Sequence, residues 1–172
     1  SKEINYSHRN KSNPKKALIE HLYLDLKTCD RCIGTDRVLD GVMLTLSPAL
    51  NLAGYKVEYN KIEMKTAEVA KQYQFLSSPT IRVNGRDICL SVKENSCGCC
   101  SDISGTDVVC RVFEYDGKSY EVPPKEMLAE SILQAILGKA ESGCSCGEYE
   151  LPENLGEFFE GKKNKSGCSC GG

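Results

Sequence analysis

The stretch from Leu18 to Leu50 constrains the fold more than any other. Leu18, Leu22, Leu24 and Leu26 occupy alternate positions, the period of a strand. Thr28-Cys29-Asp30-Arg31-Cys32 follows directly, and then Leu39, Val42, Met43, Leu46 and Leu50 recur at helical spacing until Gly54. Pro48 is expected to kink or break that helix. Tyr55, Val57 and Tyr59 alternate again over 55–62, and Thr66 is placed to cap a short helix carrying Val69, Ala70 and Tyr73. The order β-α-β-α calls for a parallel strand pair joined by a right-handed crossover.

Downstream the pattern changes. Leu76-Ser77-Ser78-Pro79-Thr80 leads into Ile81–Val83, then Asn84-Gly85, then 86–90, and Asn-Gly between apolar runs signals a hairpin. Residues 91–106 lack an apolar period and read as a polar loop holding Cys97-Gly98-Cys99-Cys100. A second hairpin is expected over 108–122 around Asp116-Gly117. Pro123-Pro124 opens a helix with Met127, Leu128, Ile132, Ile136 and Leu137 on one face, ended by Gly138. The expected organisation is therefore a flexible arm over 1–16, an α/β domain over 17–138 with a Cys-rich insert at 91–107, and a Cys-rich tail over 139–172. Within the tail, Leu151, Leu155, Phe158 and Phe159 form one short amphipathic stretch.

Eleven cysteines in 172 residues are the compositional anomaly. Their number is odd and their spacing clustered, which points to redox exchange or soft-metal binding in a reducing compartment rather than to structural bridges. A net charge of −2 gives no reason to expect nucleic acid, no apolar run is long enough for a membrane span, and cytoplasm is the expected location. His8 and His21 are expected to be surface or structural residues.

Cys29 and Cys32, three residues apart at a helix start, share a face where backbone amides and the helix dipole favour a thiolate. Arg31 adds to that effect and Asp30 subtracts. Cys29 is expected to be the exposed attacker and Cys32 the resolving thiol. Cys97, Cys99 and Cys100 supply three thiolates suited to zinc with one outside ligand, or to a trigonal metalloid; a local disulfide, or one to Cys110, is the alternative. Cys89 and Cys110, each alone in a strand, read as small buried hydrophobes, with a bridge between them as the other reading. Ser-Gly-Cys-Ser-Cys-Gly occurs at 142–147 and again at 166–171, so Cys144/Cys146 and Cys168/Cys170 form two flexible soft-metal chelates or easily exchanged dithiols.

On Cys29-x-x-Cys32 after the first strand, and on Pro79 before the third, the chain resembles the thioredoxin-like superfamily over 18–138. The resemblance implies a central mixed sheet flanked by helices, a cis Ser78-Pro79 bond facing the dithiol, and dithiol–disulfide exchange with a thiol- or disulfide-bearing protein or a small thiophilic substrate. In thioredoxin a buried acid stands six residues before the first cysteine. Tyr23 holds that place here, and Asp25 lies on the same strand face. The Cys-x-x-Cys with a Cys-Gly-Cys-Cys loop is also similar to a bacterial thioredoxin-like family found beside arsenic, mercury or selenium handling. That resemblance implies zinc or another thiophilic metal or metalloid and no organic cofactor. A non-catalytic metallochaperone or resistance protein, or a zinc-stabilised structural domain, is the alternative reading.

Overall fold

The computed structural model describes residues 15–88, 93–106, 108–138 and 149–167. The chain is mixed α/β. Strand β1 (Lys15–Tyr23) pairs in parallel with β2 (Tyr55–Glu63) and antiparallel with β3 (Thr80–Val83), which carries the short β4 (Arg86–Asp87), for a sheet order β2-β1-β3-β4. A second sheet, β5-β6-β7, is formed by Lys93–Ser96, Val109–Tyr115 and Lys118–Tyr120. The helices are α1 (Asp30–Leu52), α2 (Ala67–Gln72), α3 (Gly98–Ser104), α4 (Lys125–Leu137) and α5 (Glu153–Gly167). Among the described residues, no helix is long and apolar enough to cross a membrane.

Both hairpin turns sit where Asn-Gly and Asp-Gly place them. Asn84 and Gly85, and likewise Asp116 and Gly117, have positive φ, the pair of left-handed residues that a two-residue hairpin needs. Thr66 caps α2 by accepting the Val69 N–H at 3.3 Å.

Other elements depart from expectation. The first strand begins at Lys15, inside the stretch assigned to the arm, and ends at Tyr23, short of Leu24 and Leu26. It stops because the Asp25 carboxylate gathers the amides of Lys27 (2.8 Å), Thr28 (2.6 Å) and Cys29 (3.4 Å) into a turn. Both faces of the strand are buried: Ala17 and Ile19 join the aliphatic core, and Leu22 joins a second core with Leu24 just beyond the strand, because helices cover both faces of the sheet. Helix α1 runs through Pro48 to Leu52 with Leu46 and Leu50 buried on either side of it. Packing of that face outweighs the one hydrogen bond that proline removes. The stretch read as a polar loop holds β5 and α3. Leu137 is 59% exposed, so the buried face of α4 ends at Ile132.

Nor does the packed body stop at Gly138. Tyr149 donates its hydroxyl hydrogen bond to the carbonyls of Phe75 (2.9 Å) and Ala70 (3.2 Å), and α5 then lays Leu155, Phe158 and Phe159 into the same core as Leu22, Leu24 and Phe75. Gly161 permits that approach: a Cβ there would lie 2.2 Å from the Ser104 carbonyl oxygen. Cys89, Cys144, Cys146, Cys168, Cys170 and His8 lie outside the described residues.

A buried thiol cluster as candidate metal centre

Two chain units deliver the thiols. Cys29 is the N-cap residue of α1 and Cys32 lies in its first turn. The β5–β6 hairpin delivers the others. Asn95 pairs with Cys110, so Cys97, two residues on, is a diagonal neighbour of Cys110 on the same strand face. Cys97 then serves as N-cap of α3, and Cys100 follows one turn later. Cys97 and Cys100 are thus a second Cys-x-x-Cys, and Cys99 between them is only half-buried.

The Sγ atoms of Cys29, Cys97 and Cys100 lie within 4.8 Å of one another, all three buried, a grouping able to hold a metal ion. Cys29 stands 4.0 Å from Cys97 and 3.7 Å from Cys100, and Cys100 stands 3.9 Å from Cys110. All are free thiols. Cys32 Sγ is 3.4 Å from Ser78 Oγ, which also accepts the Leu24 N–H at 3.2 Å. The Ser78-Pro79 peptide is cis and Pro79 is buried. The Ser78 carbonyl accepts the Arg111 N–H at 2.7 Å, which ties this turn to β6.

Burial corrects the expected role of Cys29. It is 0% exposed, as is Cys32, because the insert and α5 pack over the mouth of α1. Arg31 does not face the thiols as a free cation. It is 8% exposed and reaches the insert: its guanidinium donates to the carbonyls of Ser96 (3.1 Å) and Cys110 (3.5 Å) and to the Glu121 carboxylate (2.8 Å). Asp25 is no buried acid under the dithiol. Burial resists its ionisation, but hydrogen bonds from Thr28, Lys27 and Cys29 hold its carboxyl below the usual range.

Crowding divides the protons unequally. The contact with Cys100 pulls Cys29 down, but contacts with Cys32 and Cys97, together with burial, push it well above the ordinary thiol range. Cys100 is pushed up by Cys110, Cys29, Cys97 and burial. Cys100 pulls Cys110 down, yet Cys97 and burial leave it raised. Cys97 is drawn down by Cys100, Cys110 and Cys29 against burial. Cys32 falls to about 7, chiefly through the hydrogen bond from Cys29, with burial opposing and Ser78 assisting. A dry cluster with some thiols drawn to the anion and others held neutral lacks a positive charge to share.

Of the residues singled out in sequence, Cys29, Cys97 and Cys100 converge, Cys32 joins the same core, Pro79 follows the Ser78 whose hydroxyl meets Cys32, and Cys99 stands outside the triad. Cys110, read as a small buried hydrophobe, is buried but lies against the thiols. The 97–100 spacing was a signal for its neighbours; nothing local marks Cys110, which only strand register brings in.

An uncharacterised protein of Archaeoglobus fulgidus is 28% identical over 110 residues, covering 63% of this chain and 77% of that protein. No solved structure matches. The family model for a domain of unknown function, DUF2703, matches residues 18–132, a span that contains most of β1, the Cys29/Cys32 turn, the β5–α3–β6 insert and most of α4, and the chain belongs to that family.

Proposed function

We propose that the protein binds a soft metal or metalloid through Cys29, Cys97 and Cys100, on a thioredoxin-like scaffold. The observation that carries this reading is the convergence of three buried sulfurs from two separate chain units within 4.8 Å. Thiolates select soft cations, and a bound cation supplies the positive charge that the dry cluster lacks. Zinc with a fourth ligand and a trigonal metalloid both suit three thiolates. Metal analysis and free-thiol counting on protein purified without oxygen test it. Bound metal that disappears in Cys97→Ser is the expected result; metal-free protein that takes up none would end the proposal.

A second reading is dithiol–disulfide exchange at Cys29/Cys32. It is favoured by the low Cys32 pKa of about 7 and by the cis Ser78-Pro79 bond, whose serine hydroxyl meets that thiol. The sheet order β2-β1-β3-β4, with β1/β2 parallel and β3 antiparallel, supports the scaffold. In the exchange, a partner disulfide would take two electrons and two protons from Cys29 and Cys32, leaving a Cys29–Cys32 disulfide and a partner dithiol. The partner would be a thiol- or disulfide-bearing protein or a small thiophilic molecule. Because Cys29 is covered, exchange needs α5 or the insert to move. Insulin-type turnover that survives Cys29→Ser would remove this reading.

A further inference from the structure

The triad leaves one thiol unexplained. Cys110 is fully buried, 3.9 Å from Cys100, and comes from the same hairpin-and-helix unit as Cys97 and Cys100. Four sulfurs each about 2.3 Å from a zinc ion stand about 3.8 Å apart along the edges of their tetrahedron. Three of the six separations, 3.7 Å (Cys29–Cys100), 3.9 Å (Cys100–Cys110) and 4.0 Å (Cys29–Cys97), are close to that edge, whereas Cys110 lies outside the group of sulfurs all within 4.8 Å of one another, so an ion would have to draw it inward from its place beside Cys100. A disulfide would need about 2.05 Å between its sulfurs.

We infer that Cys110 is the fourth ligand, so that Cys29, Cys97, Cys100 and Cys110 form a closed tetrathiolate site for a divalent ion of the zinc type. This rests on the metal-binding reading above and names its ligand class. A trigonal metalloid takes three sulfurs and leaves Cys110 out. The rival fourth ligand is Cys32, whose sulfur instead faces the Ser78 hydroxyl at 3.4 Å. Four thiolates around a divalent ion leave net negative charge in the core. Arg31, buried against the same hairpin through the Cys110 and Ser96 carbonyls, has its charge paired with the Glu121 carboxylate. Each thiol that binds gives its proton to solvent. With no open position, such a site holds metal and clamps the insert to α1 rather than activating water.

The test uses the full chain, reduced and without oxygen, with Cys89, Cys99, Cys144, Cys146, Cys168 and Cys170 all changed to Ser. Only Cys29, Cys32, Cys97, Cys100 and Cys110 then remain as donors of sulfur. Zinc is added, and X-ray absorption counts the sulfurs while chelator competition measures affinity. One zinc with four sulfurs is expected. Adding Cys32→Ser should keep all four, whereas adding Cys110→Ser should leave three and a lighter atom, weakening zinc by at least the roughly 10–100-fold that loss of an outer-shell partner costs. Should Cys110→Ser fail to fold, the Cys32→Ser protein still decides, because four sulfurs there have only one possible source. Three sulfurs in that protein overturn the role of Cys110 while the metal-binding reading stands; no zinc at all overturns both.

Discussion

The two larger cores among the described residues are built on opposite faces of one sheet. The first joins Ala17 and Ile19 of β1 with Leu39, Val42, Met43, Leu46 and Leu50 of α1, Ile81 and Val83 of β3, and Leu128 and Ile132 of α4. It contains no cysteine among the described residues. The second joins Leu22, Leu24, Met64 and Phe75 to Cys29, Cys32, Cys97, Cys100 and Cys110 under Leu155, Phe158 and Phe159. Aliphatic side chains build the first. The second replaces part of its hydrocarbon with sulfur, which packs like a small hydrophobe when protonated and coordinates metal when not. One half is a platform. The other is a core whose stability, on the proposed metal binding, would depend on a bound ion.

The sharpest way to break that contrast is to damage each half and supply metal. Leu39→Ala should cost about 2–5 kcal/mol in urea unfolding, the range for a buried leucine, and zinc should not restore the lost apolar contact. If zinc fully rescued it, the two cores would not be separable.

Acid should act on the platform through His21, which is fully buried and hydrogen-bonded through Nδ1 to Asp36 at 3.3 Å. Burial lowers its pKa to about 4, with Asp36 only partly offsetting the effect. The unfolded chain therefore binds a proton that the folded chain refuses between about pH 6.5 and 4, so stability falls as pH falls through that window. The loss is on the order of 3 kcal/mol by the lower end. A pH titration of metal-free protein checks this, and His21→Gln should flatten the curve between those limits.

Zinc at a hundredfold excess over its Kd should raise stability by about 2.7 kcal/mol, and by nothing measurable in Cys29→Ser. Chelator should reverse the gain. An equal gain in Cys29→Ser would move the binding site out of the second core.

Gly161→Ala should cost about 1–3 kcal/mol, because the new Cβ meets the backbone oxygen of Ser104 and α5 must shift. The loss should be confined to the thiol half: alkylation of the buried cysteines quickens while amide exchange in β1 and β3 stays slow. Thr66→Ala is the smallest change, about 1 kcal/mol for a lost helix cap. Because α2 supplies Ala70 to the second core, its effect should appear there first.

Legibility in sequence followed how local each signal is. The α1 stripe from Leu39 to Leu50, the Thr66 cap and both hairpin turns are written in neighbouring residues, and each appears where expected. The 91–106 stretch was opaque because its strand and helix are short and their buried side chains are cysteines, which no apolar period flags. α5 was equally hard to place: four apolar residues among charged ones reveal an amphipathic stretch but not the surface it covers.

The sequence by itself determined that the chain is rich in clustered thiols, that Cys29 and Cys32 open the first long helix, and that an α/β body carries them. Only the tertiary structure decided which thiols meet. Cys29 and Cys100 are 71 positions apart, and their 3.7 Å contact exists because the insert folds back over α1. Cys110 joins through strand register, and Cys99 stays outside because it occupies a different face of α3 from Cys100. Burial of Cys29 was decided the same way, by distant segments laid over a helix end whose own sequence would leave it open. Spacing along the chain sets what two neighbouring cysteines can do together, whereas a site assembled from separate units depends on packing that no single segment encodes.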